Sequence, residues 1–148
     1  MHFSNNKTSP GRKVMNRLLH NDALGKLILR LTVGILMLFH GIAKITNPGT
    51  VDYIGGVLSS SGLPSVLAYG VYVGEVIAPL MIIMGVYSRY GAMLVVVNML
   101  FAVFLMHSGD LFSLTEHGGW RLELQGVYLF GALAIMFLGS GRQAIKPD

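Results

Sequence analysis

The sequence predicts an all-α protein, a four-helix transmembrane bundle with both termini cytoplasmic, and three observations predict it. Apolar residues make up 53% of the chain against 12% charged, four apolar runs approach the length of a membrane span, and basic residues gather at one end of those runs. Soluble domains carry about twice that share of charge, so lipid is the expected solvent. With 148 residues one domain is expected, because a second core would leave each half too small to stabilise itself. The expected organisation is a basic cytoplasmic tail over residues 1–21 and a membrane domain over residues 22–148.

A helix needs about 20 mostly apolar residues to cross the hydrocarbon core, where its backbone must satisfy its own hydrogen bonds. The runs extend over about Leu27 to Ile45, Val66 to Val86, Tyr90 to Met106, and Leu122 to Leu138. Asn47, Pro48 and Gly49, then Gly62 and Pro64, then Ser88 and Arg89, then Gly109, Asp110, Gly118 and Gly119 punctuate the breaks, and each break reads as a loop. The segment before the first run is polar and basic, a mobile tail or a short surface helix. Gly41, Ile42 and Ala43 loosely imitate a signal cleavage site, and the expectation is that the span is kept.

Lys and Arg accumulate in cytoplasmic loops. Lys7, Arg12, Lys13, Arg17, Lys26 and Arg30 precede or open the first run, Arg89 lies in the second connection, and Arg142 and Lys146 follow the fourth run. Lys44 and Arg121 fall on the other side. Both termini are therefore expected in the cytoplasm of a bacterium, in a multi-pass protein of the plasma (inner) membrane. Tyr69, Tyr72, Tyr87, Tyr90, Trp120 and Tyr128 lie mostly near span ends, as an interfacial belt requires.

The absence of cysteine excludes disulfides, thiolate-bound zinc and iron–sulfur clusters with their usual ligands. The net charge of +4 reflects residues flanking apolar runs, not a basic stripe, so nucleic acid is not an expected partner. Neither His40 nor His107 belongs to a tight ligand pair, and no metal site is expected. The halves of the chain do not align as a repeat.

Ionisable groups inside a bilayer are costly and are functional suspects by default. Arg30, His40, Lys44, Glu75, His107 and Glu123 qualify. At about 1.5 Å per residue, all but Arg30 fall in the outer half of the bundle, while Arg30 lies near the inner surface, to which it can snorkel. Glu75 is the most informative. Gly70, Gly74 and Ala78 recur at four-residue spacing, which lets another helix approach. Pro79 has no amide hydrogen and leaves the Glu75 carbonyl without its helical donor, so a kink and a spare acceptor are expected. Glu75 either ties helices together through a hydrogen bond or serves a function. His40 and His107 read singly as bonded helix-end residues, and together with two carboxylates as proton-relay or quinone-binding groups. Asn98 and Gln125 are expected as interhelical hydrogen-bond partners or ligand contacts, and His117 as solvated.

The stretch Leu29-Arg30-Leu31-Thr32-Val33-Gly34 followed by Phe39-His40-Gly41-Ile42-Ala43-Lys44 resembles the opening of DoxX family membrane proteins, and Gly74-Glu75 leading to Gly85-Val86-Tyr87-Ser88-Arg89 resembles their second helix and following turn. The resemblance runs from about Lys26 to Arg142. The family's ending of glycine, proline, glycine, serine and aspartate is only partly matched by Gly139-Ser140-Gly141-Arg142. The resemblance implies a four-helix membrane protein similar to a subunit of a thiosulfate and quinone oxidoreductase, and residue by residue it carries over Arg30, His40, Lys44, Glu75 and Glu123.

Two functions compete. In the first, a quinone-linked oxidoreductase or its subunit, Glu75 exchanges protons, His40 bonds and transfers them, Lys44 supplies the charge that keeps a carboxylate ionised, and Arg30, His107, Glu123, Asn98 and Gln125 bind the cofactor. Quinone is the expected cofactor, and a redox subunit or a second copy of the chain the expected partner beside the lipid bilayer. In the second, a nonenzymatic protein uses the same cluster as a small-solute or proton pathway, or as an assembly partner.

Overall fold

The structure, a computed structural model, describes residues 20–148 together with Gly11, Val14 and Met15. Most of the basic tail expected over residues 1–21 lies outside the described residues. Five helices follow: α1 (Asp22–Thr46), α2 (Gly49–Ser60), α3 (Ser65–Met84), α4 (Ser88–Met106) and α5 (Glu123–Leu138). The described residues form no strand beyond two isolated bridges. Of these helices α1, α3 and α4 are long and apolar enough to cross a membrane, whereas α5, the fourth expected span, has 16 residues and is shorter.

α1 begins five residues before its apolar run because Asn21 caps it, accepting from the Leu24 amide at 3.1 Å, and because Asp22 and Lys26 pair one turn apart at 2.8 Å. At its far end Asn47 Nδ2 donates to the Ala43 carbonyl at 3.0 Å. The connection after it, expected as a loop, is α2. Val51, Ile54 and Leu58 recur at helical spacing and pack with Ala68 and Val71 in a small cluster of their own. Gly85, at φ 68°, takes the left-handed cap that ends α3.

Around the main core α1 packs on α3 and α5, and α4 packs on α3 and α5. Val33, Met37, Ile82, Val95, Tyr128 and Ile135 meet there. Close approach is set by glycine. A Cβ on Gly34 would lie 2.6 Å from the Ile83 side chain, and one on Gly41 would strike the Glu75 carbonyl. The stripe expected on α3 holds in part: Gly74 faces the Asn98 side chain and the Ala78 carbonyl faces Gly91, but Gly70 has nothing against it. The disturbance expected at Pro79 takes the form of a π turn over Val73–Ile77, and a second one, over Ala102–Met106, ends α4.

Side chains lock together the start of α1, the end of α3, the start of α4 and the segment after α5. Arg30 does not snorkel; it is 1% exposed. Its guanidinium donates to the carbonyls of Ile82 and Ile83 at 2.9 Å each, of Ser140 at 2.6 Å and of Gln143 at 2.9 Å. The segment after α5 is thereby held against the end of α3, where the Ile145 amide donates to Met84 O and the Lys146 amide to Gly85 O. Arg89 donates to the carbonyls of Met136 and Phe137. Asp148 bridges the amides of Arg89 and Ser140, at 3.0 Å each. Burial pushes the Asp148 carboxyl up, but the bonds from Arg89 and Ser140 and the Arg89 charge outweigh it and hold the group below the usual carboxylate range.

Candidate functional site

The π turn carries Glu75, and α3 thereby turns its carboxylate inward: the residue is 5% exposed. A π turn inserts one residue into the helical repeat, which rotates the following face by about 100°. Lys44 Nζ donates to Glu75 Oε2 at 2.6 Å, and Asn98 Nδ2 donates to Glu75 Oε1 at 3.3 Å. One carboxylate therefore joins α1, α3 and α4. Glycine permits it, since Gly41 lets the α1 backbone meet Glu75 and Gly74 leaves room for Asn98. Tyr72 steadies Lys44 from the side, its hydroxyl donating to the Lys44 carbonyl at 3.3 Å. Charges taken out of water need an opposite partner and further hydrogen bonds, and this pair has both.

The triad lies on the wall of a cleft of about 600 Å³ between α2, α3 and α4. Its remaining walls are largely apolar, among them Ile54, Leu67, Leu94, Val97 and Phe101. Tyr53, Leu67 and Phe101 are more than half exposed at its rim, so the cleft opens sideways between helices. His107, at the end of α4, also lines it. His107 Nδ1 lies 3.7 Å from Asp110 Oδ2, while Asp110 Oδ1 lies 3.3 Å from Arg121 Nη1.

Of the residues singled out from sequence, Glu75, Lys44, Asn98 and His107 come together in this cleft. His40, Arg30, Glu123 and Gln125 do not line it. His40 packs edge-on against Tyr128 of α5, ring centroids 5.5 Å apart. Glu123 is exposed at the start of α5 and Gln125 half-buried on its first turn. Arg30 belongs to the lock between the end of α3 and the segment after α5, where its donors are bound to protein carbonyls. Tyr72, expected from the sequence only as part of an interfacial belt, bonds the Lys44 carbonyl, and the α2 wall, Thr50, Tyr53, Ile54 and Val57, carries no expectation of a site from the sequence. The spacing of Val51, Ile54 and Leu58 was the available signal for that wall. Among the described residues no three His, Asp or Glu side chains converge as metal ligands would.

A family model described as DoxX matches residues 25–108, from the start of α1 to the end of α4. A Bacillus subtilis (strain 168) protein named "Putative oxidoreductase CatD" is 30% identical over 125 residues, 84% of this chain and 86% of that protein. A Haemophilus influenzae protein named "Uncharacterized protein" is 31% identical over 120 residues, 79% of this chain and 84% of its own length. No solved structure matches the chain.

Proposed function

Since the chain belongs to the DoxX family, whose members are integral membrane proteins, we propose that its cleft binds a quinone head group and exchanges protons with it. In this reading α1, α3, α4 and α5 each cross the inner membrane of a bacterium, both termini are cytoplasmic, and the protein is an oxidoreductase or a subunit of one. The observation that carries it is a buried Lys44–Glu75–Asn98 triad on the wall of an otherwise apolar cleft that opens between helices. Sites for small organic ligands pair apolar walls with a few convergent polar groups. A ring with two carbonyls and an apolar tail fits that division, and a tail could leave through the rim at Tyr53 and Phe101.

When bound, the quinone supplies the two-electron chemistry, taking two electrons and two protons to become the quinol. Lys44 and Asn98 are the donors available to a carbonyl oxygen, Glu75 holds or accepts a proton beside them, and His107 connects the cleft to the outer surface through Asp110. A redox partner subunit or a reducing substrate supplies the electrons. The relative named as an oxidoreductase is consistent with this assignment.

One observation favours a second reading. Both Glu75 oxygens are already engaged, as a carboxylate tying three helices together would have them, and a nonenzymatic protein that conducts a small solute or protons, or assembles with another, would need no more. Titrating the purified, reconstituted protein and its Glu75→Gln variant with a short-chain benzoquinone and a short-chain naphthoquinone separates the two. The quinone reading expects saturable binding that weakens about tenfold, a loss of about 1.4 kcal/mol, in a variant that still elutes as a folded species. It fails if the wild-type protein binds neither quinone, or if Glu75→Gln binds as tightly as wild type.

A further inference from the structure

Residues 107–122 join α4 to α5, and they are folded. Trp120 Nε1 donates to the Leu111 carbonyl at 2.8 Å, Leu114 and Trp120 form an isolated antiparallel bridge, the Thr115 amide donates to Gly119 O at 2.8 Å, and the Asp110–Arg121 pair closes the base. This ordered hairpin nevertheless holds Phe112 94% exposed and Leu114 67% exposed. Its two ionisable residues, Glu116 and His117, sit at the tip. A water-facing hairpin with this many internal bonds has no reason to present Phe112 and Leu114 outward.

Depth supplies the reason. The 16 residues of α5 rise about 24 Å, against about 30 Å of hydrocarbon. At the inner end of α5 the charged groups of Arg89 and Asp148 meet the turn at Gly139 and Ser140, which marks the boundary with water. The shortfall of roughly 6 Å therefore falls at the outer end. Trp120 leans the same way. Its ring rests on Gly126, where a Cβ would come within 2.6 Å of Cζ3, nearly one turn inside the start of α5. Trp120 is folded back onto the helix.

We propose that the hairpin over residues 111–120 lies in the outer interface of the bilayer, with Phe112 and Leu114 among the upper acyl chains and Glu116 and His117 facing water. Its partner is the glycerol and upper-chain region of phospholipid, and it completes the crossing that α5 begins. The inference goes beyond the role of the cleft and rests only on α5 crossing the membrane with its C-terminal end on the cytoplasmic side. Large apolar and aromatic side chains are favoured at that depth.

The chain contains no cysteine and a single tryptophan, so site-directed probes are clean. Phe112→Cys, Leu114→Cys and Glu116→Cys, each carrying a nitroxide in the full chain in phosphatidylethanolamine and phosphatidylglycerol vesicles, are compared by collision with oxygen and with a water-soluble nickel chelate. Oxygen should dominate at positions 112 and 114 and the chelate at 116. Equal chelate access at all three positions overturns the proposal. In the unmodified protein, Trp120 emission should be lost to acyl-brominated phosphatidylcholine and spared by aqueous iodide; the reverse overturns it as well. Glu116→Cys and Gln143→Cys, treated in intact cells with a membrane-impermeant maleimide, should react and be protected, respectively. Reaction of both from one side would remove the α5 crossing and this inference with it, whereas a failure of quinone binding would leave this inference standing.

Discussion

Replacing Arg30 with methionine removes a guanidinium that donates four hydrogen bonds, two to the end of α3 and two to the segment after α5. Bonds from a charged donor contribute about 1.5–3 kcal/mol each, so the gross loss is at least about 6 kcal/mol on that scale. Two effects reduce it. The guanidinium is buried, and its own desolvation, several kcal/mol even after relaxation, disappears with it. The Ser140 and Gln143 carbonyls can turn to water once released. The Ile82 and Ile83 carbonyls remain in a tightly packed place, and a shorter side chain leaves a gap beside them. The net expected loss is about 3 kcal/mol, comparable with breaking one side of a buried polar network. Unfolding in mixed dodecyl maltoside and SDS micelles measures it, and limited proteolysis should show faster cleavage after Leu138. A loss below about 1 kcal/mol, with unchanged cleavage, would refute the assignment of Arg30 as the lock between α3 and the segment after α5.

The Gly41→Ala variant should be destabilised by about 1–3 kcal/mol or more, because the new Cβ meets the Glu75 carbonyl and lies 2.6 Å from Val76 Cγ2; heat denaturation in detergent checks it, and wild-type stability would refute the close approach. Asp148, whose carboxyl is held below the ordinary range, contributes stability that is present above the unfolded carboxylate value of about 3.9 and is lost as pH falls through the depressed folded one. The stability difference between wild type and Asp148→Asn should therefore be constant from neutral pH down to about pH 5 and shrink below about pH 4. A difference that grows on acidification contradicts it.

Much of this protein was legible in one dimension. Hydropathy is a sum over neighbouring residues, so the positions of α1, α3 and α4 follow from the sequence alone. That cations lie at similar depth to Glu75 and are available to neutralise it was legible too. Which of them would serve was not. That depends on helix rotation, and the π turn at Val73–Ile77 changes the rotation where Glu75 sits. Lys44 and Asn98 were selected, while His40 was left against Tyr128.

Long-range bonds account for the remainder. Arg30 reads from sequence as a snorkelling basic residue or a cofactor contact, and nothing local says that its partners lie 52 to 113 positions away. The ordered segment after α5 was equally illegible, since its hydrogen bonds exist only once Arg30 and the end of α3 are in place. The amino-acid sequence determined by itself which segments prefer lipid, because transfer from water is a property of each side chain. The tertiary structure alone decided which polar groups meet, because that depends on glycine-permitted closeness and helical register.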